Sequence, residues 1–112
     1  MLTDLFENIR MKTPRVHCMA NYVTANDCAN LLLAVGASPV MADDPIESAE
    51  ITACCDALTL SLGTPSTQRL EAMRLSIRAA KEKGIPVILD PVGVTLSKLR
   101  REAAREDRKS VV

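Results

Sequence analysis

Aromatic residues are scarce in this chain: one Phe, one Tyr and no Trp among 112 residues. Proteins that bind single-stranded nucleic acid by base stacking need several aromatic faces, so that mode is excluded. A charge surplus is also missing, because fourteen Lys and Arg balance fourteen Asp and Glu. A neutral chain projects no long-range field toward nucleic acid or an anionic membrane. The single histidine is His17, and the four cysteines, Cys18, Cys28, Cys54 and Cys55, form no C-x-x-C pair. That spacing gives no zinc motif, and buried, reduced thiols in a cytosolic protein are expected. No apolar run is long enough to span a bilayer, and Met1–Lys12 mixes charges with isolated apolar residues, unlike a signal peptide. The expectation is a cytoplasmic protein with no nucleic-acid and no membrane partner.

What the sequence does have is an alternation of short apolar segments with helical periodicity. Leu2, Leu5, Phe6 and Ile9 recur at helical spacing and predict an amphipathic helix ending before Pro14. Arg15–Met19 comes next as a strand. Thr24 is placed to cap a second helix that turns Cys28, Ala29, Leu32 and Leu33 inward and stops at Gly36. Ser38–Ala42 is a second extended segment. Asp44, with Pro45 after it, predicts the start of a helix over Ile46–Cys55. A third strand, Ala57–Leu62, runs into Gly63-Thr64-Pro65-Ser66. A long helix through Leu70, Met73, Ile77 and Ala80 ends at Gly84, and Ile85–Leu89 supplies a fourth strand. The apolar run of that last strand suits one covered on both faces. Strands alternating with helices predict a parallel α/β sheet with right-handed crossover helices.

In open α/β sheets ligands lie beyond the carboxyl ends of the strands. Each strand exit here is polar or adaptable: Asn21, then Met41-Ala42-Asp43, then Gly63-Thr64, then Asp90. Each has two readings. Asn21 can satisfy turn backbone or face a ligand. Gly63-Thr64 fits a turn with a helix cap, or a hydroxyl- or anion-binding helix start. Asp90 can be a turn residue before Pro91, or hold Mg²⁺ through water for phosphoryl transfer. Met41 offers a polarizable side chain to a small heteroaromatic ring.

The segments Val16-His17-Cys18-Met19-Ala20-Asn21-Tyr22-Val23-Thr24-Ala25-Asn26-Asp27-Cys28-Ala29-Asn30, Gly36-Ala37-Ser38-Pro39-Val40-Met41-Ala42, Ala57–Thr64 and Val87–Gly93 together resemble the hydroxyethylthiazole kinases. The resemblance covers Thr13 to Gly93 and implies a ribokinase-like fold. It implies a thiamine-salvage activity: ATP- and Mg²⁺-dependent phosphorylation of the hydroxyl of 4-methyl-5-(2-hydroxyethyl)thiazole. The implied partners are hydroxyethylthiazole and ATP, and the implied assembly of the full-length form is a homotrimer. Position by position, Met41, Asn21, Gly63 and Thr64 fall to the substrate and Asp90 to the metal. Ser61 departs from the asparagine usual before Gly-Thr, and Ala20 and Tyr22 from more polar residues.

The family's nucleotide contacts, anion hole and proposed base belong to a second half that is not found after Gly93, so no catalytic residue is expected here. Residues 1–106 are expected to be the N-terminal half of such a kinase domain. Asp107–Val112 reads as the translation of an adaptor-like oligonucleotide, hence as a non-native tail. Two alternatives remain open: a non-catalytic thiazole-binding or trimer-assembly module, and a related kinase for another small alcohol.

Overall fold

The computed structural model describes residues 1–110, with side chains through Arg108. In chain order the elements are α1 (Leu2–Lys12), β1 (Arg15–Met19), α2 (Ala25–Ala34), β2 (Ser38–Val40), α3 (Ser48–Ala53), β3 (Ala57–Ser61), α4 (Thr67–Lys83), β4 (Val87–Asp90) and α5 (Lys98–Ser110). The strands form one parallel sheet in the order β2-β1-β3-β4. After β1 the chain steps outward to β2 and then crosses back to β3. The point where strand order reverses therefore lies between the carboxyl ends of β1 and β3, where such sheets open a crevice.

Period-two alternation sorts the strands into two faces. Met19, Leu58, Leu60 and Leu62 are buried with Ala72, Met73, Ile77 and Ala80 of α4, and Ala103 of α5 joins them. Helices α3 and α4 pack together through hydroxyls as well as apolar atoms. Ser48 Oγ donates to the Ala72 carbonyl at 3.0 Å, and Ser76 Oγ donates to the Ser48 carbonyl at 3.2 Å. Helix α4 starts on Ser66, whose Oγ accepts the Arg69 N–H, and ends on Gly84 in the left-handed region, φ 80°.

Several expectations need correction. Leu33 is exposed, because the sheet-facing stripe of α2 is filled by Cys28, Ala29 and Leu32. Thr24 stands at the N-cap of α2, but its side chain makes no capping bond. The third helix is shorter than Ile46–Cys55: Asp44 Oδ1 accepts the Ile46 N–H and holds residues 45–47 in a turn, so the helix starts at Ser48. β2 ends at Val40, which leaves Met41 and Ala42 beyond the strand. β4 is not covered on both faces: it is an edge strand, and Ile88 is 65% exposed. The apolar stripe of α1 is likewise open, with Leu2, Leu5 and Phe6 all exposed. Of the expected tail, residues 107–110 continue α5, and Val111 and Val112 lie outside the described residues.

Candidate functional site

Asn21 is the hinge of the site, at the exit of β1 beside the reversal point. Its Oδ1 accepts the backbone N–H groups of Val23 and Thr24, at 2.9 and 3.0 Å, and so closes the turn that leads into α2. Its Nδ2 donates to Ser61 Oγ at 3.1 Å. An amide nitrogen carries two hydrogens, so one donor remains for a ligand. Ser61, the departure from asparagine, also accepts the Gly63 N–H at 3.2 Å. Its short side chain thus ties the exits of β1 and β3 together.

Gly63 is required by close approach. A Cβ there would lie 2.7 Å from both Cβ and Nδ2 of Asn21, well inside van der Waals contact. Thr64 carries φ 45°, an uncommon conformation for a β-branched residue. Its Oγ1 accepts the Tyr22 N–H at 3.2 Å, which fixes one exit loop on the other.

Met41 lies at the exit of β2, 41% exposed, and shares a pocket of about 110 Å³ with Asn21, Tyr22, Asp43 and Arg69. Beneath this loop His17 is fully buried. Its Nε2 is 2.7 Å from the Ala42 carbonyl and its Nδ1 2.7 Å from Thr52 Oγ1. A carbonyl only accepts, so Nε2 carries the proton and Nδ1 accepts from the Thr52 hydroxyl. Burial pushes the His17 imidazole below its ordinary 6.5, opposed in smaller measure by the Ala42 carbonyl and the Glu47 and Asp43 carboxylates. The ring is neutral at pH 7. From the side, Arg69 of α4 is 6% exposed, pairs with Asp43, and donates to the Ala20 carbonyl at 2.6 Å. Its guanidinium also lies 5.9 Å from the Tyr22 ring centroid.

Asp90 ends β4 in register with Ser61. It shares a second pocket, about 260 Å³, with Asn21, Ser61, Thr59, Cys18, Cys28 and Ile88. Burial raises the Cys18 thiol above its ordinary value, so it stays protonated and is no nucleophile at neutral pH. No group of three or more His, Cys, Asp or Glu is arranged to hold a metal among the described residues. An exposed lone carboxylate suits a hydrated Mg²⁺ shared with substrate phosphates, and does not suit an all-protein cage. Past Asp90, Arg100 Nη1 donates to the Val92 carbonyl at 3.2 Å and folds over Gly93.

The structure thus brings Met41 and Asn21 into one pocket, Asn21 and Asp90 into the next, and seats Gly63 and Thr64 against the Asn21–Tyr22 loop. The support given by His17 and Arg69 went unread in the sequence, though a signal existed. His17 alternates with Met19 on an inward strand face, and Arg69 falls on the stripe that carries Ala72, Met73 and Ser76 inward. A polar residue at an inward position needs partners, and here those partners are the exit loops.

Comparisons with known proteins agree with the fold. A family model described as "Hydroxyethylthiazole kinase family" matches residues 6–111. The hydroxyethylthiazole kinase of Ruminiclostridium cellulolyticum is 52% identical over 101 residues, 90% of this chain and 37% of that protein. That of Methanobrevibacter smithii is 45% identical over 105 residues, 94% of this chain and 37% of its own length. The solved structure of a hydroxyethylthiazole kinase protein from Pyrococcus horikoshii OT3 superposes with a TM-score of 0.92 at 36% identity, covering 97% of this chain and 43% of that one. The chain spans little more than a third of the length of the curated relatives it matches. With four parallel strands in one sheet and a family match along nearly its whole length, the chain belongs to the hydroxyethylthiazole kinase family.

Proposed function

We propose that this chain supplies the substrate-binding side of an ATP-dependent kinase that phosphorylates the hydroxyl of 4-methyl-5-(2-hydroxyethyl)thiazole. The observation that carries the reading is the Asn21–Tyr22 loop at the exit of β1, which shares a pocket with Met41 on one side and is met by Gly63 and Thr64 on the other. Met41 lies against the ring, and the spare Nδ2 hydrogen of Asn21 reaches its polar atoms. Asp90 would hold Mg²⁺ through water beside the ATP phosphates, where the metal neutralises charge on the moving phosphoryl group. Positioning and electrostatics dominate such catalysis, and this chain provides the positioning of the acceptor.

The share of the relatives that is covered supports reading this chain as one part of a larger ribokinase-like domain, with residues 1–106 as its N-terminal half. The reading of 107–112 as a non-native tail rests on the sequence alone, since the family match runs to residue 111. Sequencing the source locus across that junction tests the tail. We assign a homotrimer to the full-length form, and the open stripe on α1 is a surface such an assembly can use. The site reading is tested by titrating the 112-residue chain with the thiazole alcohol, then adding labelled ATP and Mg²⁺. Saturable binding without phosphate transfer is expected. Transfer by this chain alone would overturn the division of labour, and absence of binding would overturn the substrate-side reading.

A further inference from the structure

We infer that His17 and Arg69 are positioning residues for Met41, holding the Ala42–Asp43 exit of β2 from beneath and from the side. The inference rests on the reading of Met41 as the surface that meets the substrate ring. It goes beyond it by assigning the support of that surface to His17, buried beneath the loop, and to Arg69, at the side of the same pocket.

β2 has three residues, Ser38–Val40, and among the described residues pairs only with β1. A short edge strand gives little backbone support to the residues at its exit. Met41 through Asp43 nevertheless hold a defined shape, and the reason lies in two side chains from other elements. His17, on β1, donates from Nε2 to the carbonyl of Ala42, the residue after Met41. The hydroxyl of Thr52, on α3, occupies the other ring nitrogen, so the ring can neither flip nor change tautomer without orphaning a buried group. Arg69, from the first turn of α4, binds Asp43 with one guanidinium nitrogen and the Ala20 carbonyl with another. It therefore sets the β2 exit relative to the β1 exit that carries Asn21. Burying a guanidinium is costly, and Arg69 Nε has no partner among the described residues. A site that accepts that cost for two loop contacts is built to fix the loops. Together the two clamps convert a frayed strand end into a shelf whose Met41 is preorganised against Asn21.

The test uses [¹³C-methyl]methionine labelling of the 112-residue chain, whose five methionines carry one methyl each and are assigned by single replacement with leucine. Met19 and Met73, both in the core, serve as internal controls for folding. Thiazole-alcohol affinity is measured in parallel by calorimetry. His17→Leu and Arg69→Ala are expected to move the Met41 methyl signal toward its averaged, mobile position while Met19 and Met73 hold. Affinity should fall about tenfold, the worth of one ordering hydrogen bond. His17→Gln, which returns a donor near the Nε2 position, and Arg69→Lys should recover the wild-type Met41 signal at least in part. Asp43→Asn replaces a half-exposed carboxylate by an amide of the same shape and removes the ion pair's negative charge, while Arg69 keeps its bond to the Ala20 carbonyl. It gives the same Met41 response if the stronger variants fail to fold.

A Met41 signal unchanged in Asp43→Asn and in every folded variant overturns the inference even if binding is normal. So does a Gln variant no better than Leu at equal stability. If the wild-type chain binds no thiazole alcohol, the substrate reading fails, while the Met41 signal still decides the clamp.

Discussion

The two sides of the sheet's carboxyl edge are built differently. On the β1–β2 side, every exit is tied to another element: Asn21 to Ser61, Tyr22 to Thr64, Ala42 to His17, and Asp43 and Ala20 to Arg69. On the β4–α5 side, Asp90 and Ile88 are exposed on an edge strand. Farther along α5, against the later turns of α4, the buried carboxylate of Asp107 leaves Oδ2 without a partner among the described residues. A preorganised region resists change and transmits it to the ligand, whereas a loosely tied region absorbs change with little effect on thiazole binding. The first side has the character of a site whose entropy cost is already met by the fold, and the second that of a surface still to be covered.

The largest effect that would break this contrast is expected at Gly63. Gly63→Val places side-chain atoms inside Asn21, so a loss of about 1–3 kcal/mol in denaturant melts is expected, together with loss of thiazole binding. A fully bound, fully stable valine variant would mean that the β1 and β3 exits are not in contact.

Asp107→Asn tests the other side. Asp107 is 7% exposed, and burial, with Glu106 nearby, raises its carboxyl to about 6, while Arg74 works the other way. A carboxyl raised in the folded state makes the fold lose stability as pH climbs from 3.8 through about 6. The asparagine variant is therefore expected to be more stable by about 1–2 kcal/mol at pH 7.5, the usual cost of an unmet buried group. That advantage should vanish near pH 4, and ligand binding should not change. His17 acts with the opposite sign. Its imidazole is depressed on folding, so its share of stability is lost as pH falls below the ordinary 6.5.

A smaller effect is expected at Thr64. Thr64→Gly relieves the φ of 45° and should raise stability by up to about 1 kcal/mol, yet it removes the Oγ1 acceptor for Tyr22 and should weaken thiazole binding. Stability and binding moving apart in one variant would sharpen the distinction between a strained, functional exit and a relaxed one.

Much of this was legible in the residues because local chemistry and tertiary structure agree. Ser66 and Gly84 bound α4 as helix caps do, and Arg15–Met19 is the strand its pattern predicts. The site residues were legible as strand exits, since a parallel sheet places all exits on one edge. What was hidden depends on contacts distant in sequence. Nothing local in Arg69 shows that it will reach Ala20 and Asp43, and nothing local in Thr24 shows that its side chain will make no capping bond. β4 read as doubly covered because its composition reports what the strand prefers, while the exposure of Ile88 depends on what packs on that face.

The most direct test of the central contrast is amide chemical-shift mapping of the 112-residue chain during titration with 4-methyl-5-(2-hydroxyethyl)thiazole. Saturating shifts are expected at Asn21, Tyr22, Met41, Gly63 and Thr64, with residues 98–110 unmoved. Shifts confined to Asp90 and α5, or none at any ligand concentration, would contradict it.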